Sequence, residues 1–421
     1  MLDINFVREN QEKVKKGTKD KGYDPKIVER VLKVDEARRD LIGKIENFRT
    51  ERNKLTHLRQ GFGGQAKYDV EKGRKIKEEL RKLQPDLNAI EEELKELLYQ
   101  IPNLPADDVP GGKDESENIE IKKWGKPKKF DFKVKDHLEI GELLDIIDVK
   151  RGGKVSGTRF GYLKNEAVNL EFALINFAFE NLLKEGFIPV IPPAMISLDS
   201  IKGMGYLEHG GQENMYVLDK DKMVLVGTAE QSIGPMHKDE ILLEKELPKR
   251  YAGFSSCFRR EAGSYGKDTK GIFRVHQFNK VEMFSFTKPE NSDKEHEYLL
   301  SLEEKLMQAL ELPYRIIKMC TGDLGHPAAR KYDIEAWFPS ENRYRETHSV
   351  STCTDYQARR LNTKFRTKDG KIEFIHMLNG TAFSERPILA ILENYQQKDG
   401  SVEVPKVLQK YTGFEKISPK K

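Results

Sequence analysis

The 421-residue sequence predicts an α+β fold in two parts: an N-terminal antiparallel two-helix coiled-coil arm with its linker, residues 1–110, and a larger mixed body over 111–421. Three observations carry the prediction. Apolar residues recur at 4–3 spacing between Ile27 and Ile101, a proline- and glycine-rich stretch follows, and a later segment sets cations, an aromatic ring and a carboxylate on alternate residues of a strand.

The arm comes first. After Asp24-Pro25, Ile27, Val31, Val34, Leu41, Ile45, Phe48 and Leu55 mark one seam, with Arg38 and Arg52 in its two vacant slots. Ile76, Leu80, Leu83, Leu87, Ile90, Leu94, Leu97 and Ile101 mark a second, unbroken one. Between them QGFGGQ, Gln60 to Gln65, carries three glycines that end a helix, so the two helices fold back on each other. Pro102, Pro105, Pro110 and Gly111-Gly112 close the arm. Helices of about 30 residues, at ~1.5 Å per residue, project on the order of 45 Å. The outer part, residues 38–82, holds 14 Lys/Arg against 7 Asp/Glu, among them Arg38, Arg39, Arg49, Arg52, Lys54, Arg59, Lys72, Arg74 and Lys75. Glu91, Glu92, Glu93 and Glu96 sit near the base. Positive charge gathered away from the body suits phosphate-backbone contact as well as it suits a solvated helix face.

The whole chain has 73 basic and 69 acidic side chains, net +4, so total charge does not decide the partner and local counts must. No uncharged apolar stretch reaches the roughly 18–20 residues of a membrane span, and the start, MLDINFVREN, has no apolar signal core. A cytoplasmic protein without membrane contact is expected. Cys257, Cys320 and Cys353 are odd in number and far apart, and no HExxH or close Cys/His cluster occurs, so neither a disulfide framework nor a protein-held zinc is expected. The sequence has no GxxxxGK[ST] loop and no strand–GxGxxG–helix unit, which leaves phosphate binding to arginines.

In the body, a helix near Asn165–Lys184 with Leu170, Leu174, Phe177, Ala178 and Leu182 on one side leads into the apolar run GFIPVIPP. YAGFSSCFRREAGSYGKDTKGIFRVHQFNKVEMFSF then reads as a long hairpin: a strand, a polar loop over Glu261–Gly271, and a second strand from Ile272 to about Phe286. Alternation would put Arg274, His276, Phe278, Lys280 and Glu282 on one face and Val275, Val281 and Met283 on the other. Arg259 and Glu261 arrive from the partner strand, adding a guanidinium fork suited to phosphate oxygens. Such a face fits a nucleotide and a small zwitterion. His276 reads as a strand hydrogen-bonding residue and not as a general base.

These residues resemble the class II aminoacyl-tRNA synthetases, and within them the seryl-tRNA synthetases of the common bacterial type, over essentially the whole chain. CFRREAGSYGKDTKGIFRVHQFNKVEMF resembles the family's motif 2, GTAEQ (Gly227–Gln231) its TxE serine loop, and LNGTAFSERPILAILENYQ its motif 3. CTGDLG (Cys320–Gly325), YDIEAW, YRETHS and TDYQARR are similar as well, and Asn165–Pro193 stands in the place of motif 1. The resemblance implies an antiparallel six- or seven-stranded sheet with flanking helices, a homodimer through motif 1, and an arm that grips the long variable arm of tRNA(Ser), with tRNA(Sec) as a further substrate. It implies serine activation by ATP with Mg²⁺, then transfer to the terminal adenosine of tRNA.

By the same resemblance, Arg259 meets the α-phosphate and the serine carboxylate, and Arg386 the γ-phosphate. Arg260, Glu261, Val275, Phe278, Glu346, Thr347, His348 and Ser349 are the remaining ATP contacts, Phe278 by stacking under adenine and Glu346 with Ser349 on the metal side. Thr228 and Glu230 hold the serine ammonium, while Glu282 and Thr381 take the hydroxyl and penalise amino acids that lack one. Two departures stand out: Asn379 to Arg386 is one residue shorter than usual, and His348 stands where a small residue is common. A ligase that loads an amino acid onto a carrier protein, or an inactive tRNA-binding coiled coil, are the competing readings. The arm argues against the first, and Arg259, Glu261, Phe278, Glu282 and Arg386 against the second.

Overall fold

The 4–3 seams of the arm become two long helices, α1 (Lys26–Leu58) and α2 (Ala66–Gln100). Val31, Ile45, Ile76, Leu87, Leu94 and Leu97 are buried along their contact, as a knobs-into-holes seam requires. With 33 and 35 residues they run on the order of 50 Å at ~1.5 Å per residue. Arg38, in a seam slot, crosses to Glu91 at 3.1 Å, so the vacancy in the apolar pattern is filled by an ion pair between the helices. Helix α2 continues through Pro85, whose missing N–H forfeits one ladder bond without ending the helix. The computed structural model describes residues 1–58, 66–262 and 271–420, with side chains left aside at 56–58 and 66–70. The glycine turn Gln60–Gln65, Arg59 and most of the polar hairpin loop therefore lie outside the described residues.

The chain divides into two compact units, Met1–Pro102 and Asn103–Lys421. The division falls inside the proline and glycine linker read from the sequence, directly after Pro102, because Asn103 already belongs to the second unit. Its side-chain amide donates to the Pro327 and Cys353 carbonyls, each at 2.9 Å.

The second unit is organised by one large sheet with strands β1 (Ile119–Trp124), β2 (Ile188–Val190), β3 (Lys249–Phe258), β4 (Gln277–Thr287), β5 (Tyr314–Lys318), β6 (Arg330–Phe338), β7 (Arg343–Thr352) and β8 (His376–Ser384). Their order is β1-β5-β6-β7-β8-β4-β3-β2. The sheet thus has eight strands where six or seven were expected. It is antiparallel except at one edge, where the short β2 runs parallel to β3, and β1 adds an antiparallel strand at the other edge. Helices α3 (Glu166–Lys184), α4 (Ser292–Ala309) and α5 (Arg386–Asn394) supply Leu170, Leu174, Leu299, Leu306, Ile388 and Leu392 to the core that also holds Val281 and Met283 of β4. Burial of that face of β4 fixes the opposite face, by strand alternation, as the one free to meet a ligand.

The long hairpin differs from its sequence reading in one respect. Its second strand begins at Gln277, not Ile272. Residues 272–276 form an irregular segment in which Val275 is buried and lines the same cavity as Arg274, so strict alternation does not hold there.

Candidate active site

The Phe278–Lys280 face of β4, the end of β3, strand β7 and the β8–α5 junction enclose a cavity. Arg259, Glu261, Val275, Phe278, Glu346, Thr347, Ser349, Thr381 and Arg386, nine residues selected from the sequence, converge on its walls. Ile272, Phe273, Arg274, Lys280, Ser384 and Glu385 complete them. The guanidinium of Arg259 lies 5.1 Å from the centre of the Phe278 ring, and its Nε donates to the Gly227 carbonyl at 3.1 Å, which ties the arginine to the GTAEQ loop. Glu261 takes a left-handed backbone conformation, φ 51°, as the chain leaves β3, and its carboxylate accepts from Arg274 at 2.7 Å.

Arg386 sits at the start of α5, its guanidinium 3.0 Å from the Glu346 carboxylate and 4.9 Å from the centre of the Phe273 ring. Burial alone would raise the Glu346 carboxyl, but the charges of Arg386 and Lys331 and the Arg386 hydrogen bond hold it down at about 2. It is ionised at any working pH. A bulge makes the β7 wall. Glu346 pairs with Glu335 and His348 with Ile334, so Thr347 is an extra residue on β7, and the inserted residue lets Glu346 and Ser349, three positions apart, both reach the cavity.

A second bulge settles the register of the short motif 3 segment. On β8, Phe383 pairs with Val281 and Thr381 with Glu282, leaving Ala382 unpaired. The Ala382 carbonyl is met from β7 by His348, whose Nε2 donates at 3.0 Å while its Nδ1 lies 2.9 Å from the Thr347 hydroxyl oxygen. Burial pushes that imidazole down to about 3, so it is neutral. His348 therefore does not line the cavity. It locks the bulge that sets Thr381 opposite Glu282.

On the GTAEQ side Thr228, Glu230 and Glu282 are all buried. The Glu230 carboxylate accepts from the Tyr206 hydroxyl at 2.8 Å and from the Gln357 amide at 3.3 Å. Burial first, then the charge of Glu282, push Glu230 up to about 7. Lys280, also buried, forms an ion pair with Glu282. An ammonium entering here would meet two carboxylates and one fixed cation, a balance that favours taking up positive charge.

Arg260 stays outside the cavity. Its backbone N–H donates to the Asn214 carbonyl at 3.0 Å and its guanidinium lies 5.8 Å from the centre of the Tyr216 ring. His276 lies with Nδ1 2.8 Å from the Arg259 carbonyl oxygen, a backbone brace for that arginine. Sequence reasoning missed Glu385, which accepts from the Asn279 N–H at 3.0 Å and is pushed up to about 8 by burial and then by the charge of Glu171. Its place directly before Arg386 was the available signal. Gln357 lies in TDYQARR, a segment covered by the resemblance, whereas Tyr206, remote in sequence from Glu230, had no such signal.

Among the described residues no group of three or more His, Cys, Asp or Glu is gathered in a way that could hold a metal ion. The Glu346 carboxylate and Ser349 hydroxyl on the cavity wall are hard oxygen donors of the kind Mg²⁺ takes alongside phosphate oxygens. In the first unit, Arg74 with Glu78 and Lys75 with Glu71 form weak exposed pairs at 3.4 Å, while Arg39 reaches the buried Asp35 at 3.2 Å. Arg49 donates to Gln84 at 3.4 Å, and Arg52 and Lys54 are exposed on α1.

Comparison with known proteins gives this geometry a family. Residues 1–105 match the seryl-tRNA synthetase N-terminal domain, and residues 216–395 the tRNA synthetase class II core domain (G, H, P, S and T). Similar curated proteins include the serine–tRNA ligase of Dictyoglomus turgidum, 47% identical over 100% of both chains, and that of Treponema denticola, 42% identical over 99% of this chain and 100% of the other. Among solved structures, seryl-tRNA synthetase from Pyrococcus horikoshii complexed with ATP superposes with a TM-score of 0.94 at 42% identity and full coverage of both chains. The cytoplasmic serine–tRNA ligase of Naegleria fowleri in complex with AMP does so at 0.89 and 33% identity, covering 100% of this chain and 99% of that one. With matches spanning its whole length, this chain belongs to the seryl-tRNA synthetases, class II ligases that join serine to tRNA.

Proposed function

We propose that the cavity between β3, β4, β7 and β8 activates L-serine with ATP and then passes the seryl group to tRNA(Ser). The observation that carries this reading is the convergence of Arg259, Phe278 and Arg386 on one cavity beside the buried Glu230–Glu282 pair. A serine carboxylate oxygen attacks the α-phosphorus, a new P–O bond forms, and the bond to the β-phosphate oxygen breaks to release pyrophosphate. A hydroxyl of the terminal adenosine ribose then attacks the seryl carbonyl and AMP leaves. Little covalent help is needed, so the protein contributes position and charge stabilisation.

Arg259 bridges the serine carboxylate and the α-phosphate, the two groups whose negative charges must approach. Arg386, held in line by Glu346, takes the γ-phosphate and stabilises the departing pyrophosphate. Phe278 offers its face to adenine, with Val275 and Glu261 at the edge of the base. Thr228 and Glu230 receive the ammonium, and Glu282 with Thr381, paired across β4 and β8, receive the hydroxyl. Mg²⁺ bound with ATP would neutralise phosphate charge, with Glu346 and Ser349 as its protein-side oxygens.

Homodimer formation is supported by the apolar surface on and beyond α3, where Phe172, Leu183 and Ile191 are 57%, 48% and 82% exposed. The exposed basic side chains Arg39, Arg49, Arg52, Lys54, Arg74 and Lys75 of the arm, with the half-buried Arg38, support phosphate contact with tRNA(Ser), and the family resemblance extends this to tRNA(Sec). A cytoplasmic location accords with the finding that no described helix is long and apolar enough to cross a membrane. ATP–pyrophosphate exchange across all twenty amino acids tests the reading. Exchange with serine alone is expected, and exchange driven by another amino acid would overturn it.

A further inference from the structure

The segment between β1 and the helix that begins at His137 carries a concentration of charge that the active site does not use. Over residues 126–135 the sequence reads KPKKFDFKVK, five lysines against the single carboxylate of Asp131. Lys126, Lys128, Lys129 and Lys133 are exposed, and none forms an ion pair among the described residues; the carboxylate within the segment, Asp131, is approached by Lys398 at 3.9 Å. Several lysines elsewhere in this unit do pair: Lys122 with Glu304 at 2.7 Å, Lys123 with Glu120 at 2.9 Å, Lys150 with Glu142 at 2.6 Å and Lys305 with Glu185 at 2.8 Å. Lysines crowded without counter-charges repel one another, which disfavours the folded arrangement unless a polyanion relieves it.

The segment is anchored at both ends. Trp124 stacks on Tyr314 with ring centres 5.7 Å apart, and Lys135 exchanges two backbone hydrogen bonds with the Gln396 side chain, at 2.9 and 3.0 Å. Directly after it, His137 and Leu138 pack against Gly271, where an added Cβ would lie 3.2 Å from His137 Nε2. Gly271 adjoins Ile272 and Phe273, two walls of the catalytic cavity. The lysine-bearing segment thus leads, through His137 and Leu138, to residues next to the rim of the site.

We propose that Lys126–Lys135 is a second RNA-binding surface, an electrostatic strip on the catalytic unit that contacts acceptor-stem phosphates as the tRNA terminus enters the cavity. The inference rests on the tRNA-charging function proposed above. Lysine ammonium groups are point charges without base-reading geometry, so the contact is independent of sequence and adds to the salt dependence of binding.

The test is the full-length chain with Lys126→Gln, Lys128→Gln, Lys129→Gln and Lys133→Gln combined. Serine-dependent pyrophosphate exchange is expected at the wild-type rate. The KM for tRNA in aminoacylation is expected to rise at least about tenfold near 150 mM salt, and the slope of log KM against log salt to fall by about two to four, at roughly 0.9 for each phosphate no longer neutralised. An acceptor-stem minihelix RNA should inhibit the wild-type chain in a salt-dependent way and the variant far less. An unchanged tRNA KM and salt slope overturns the proposal, as does an equal loss of pyrophosphate exchange. Absence of serine-dependent exchange in the wild-type chain would instead strike the functional reading itself.

Discussion

Serine affinity should depend on pH through Glu230. The perturbation is acidification from pH 8 to pH 6. The carboxyl is pushed up to about 7 by burial and by the charge of Glu282, and only its ionised form compensates the serine ammonium. Its ionised fraction falls from about nine-tenths at pH 8 to about one-tenth at pH 6, so the KM for serine should rise about tenfold over that interval. The sign follows from the raised value: an unperturbed glutamate, near 4.3, would stay ionised throughout and leave KM flat. Pyrophosphate exchange at saturating ATP reads the effect. Asp333, pushed up to about 7 mainly by burial, and Glu385, at about 8, titrate close by, so Glu230→Gln assigns the group. That variant should bind serine poorly and show no further rise toward acid. A flat wild-type profile, or a Glu230→Gln profile as steep as the wild type, would refute the assignment.

Three further outcomes follow from the geometry. Arg259→Ala should lower serine-dependent exchange by at least about 100-fold, because the proposed role makes it the bridge between the two anions, yet keep the thermal midpoint within a few degrees, since the side chain is only half-buried; comparable exchange in the variant would remove Arg259 from the chemistry. Deleting Gly43–Lys82 from the arm should leave adenylate formation largely intact and cripple transfer to tRNA, together with most of the salt dependence of tRNA binding; survival of both half-reactions would give the arm another purpose. Glu303 of α4, wholly buried under Gly380, is held well above the carboxylate range, first by burial and then by the charge of Glu282. A raised folded-state value means that ionisation favours the unfolded chain, so stability is lost as pH rises above about 4.3 toward the folded value. Glu303→Gln should therefore gain more thermal stability relative to wild type at pH 8 than at pH 5, and an advantage at pH 5 as large as at pH 8 would contradict the burial argument.

The sequence by itself determined what depends on spacing along one element. The 4–3 seams specified two helices because a heptad repeat has one geometry that buries it, and they appear as α1 and α2. Alternation specified that Phe278 and Lys280 oppose Val281 and Met283, because a strand has a period of two. Arg259 was legible because a site without a phosphate loop needs guanidinium groups, and Arg386 through the resemblance of its segment to motif 3. What depends on pairing between distant strands was decided only in three dimensions. The bulges at Thr347 and Ala382 are properties of two strands in register, and a single strand's sequence does not contain its partner's offset. They bring Glu346 and Ser349 to one wall, set Thr381 against Glu282, and turn His348 from an expected ATP contact into the brace of a backbone carbonyl. The titration of Glu230 belongs to the same class: water exclusion and the nearness of Glu282 arise only after residues about 50 positions apart are packed together.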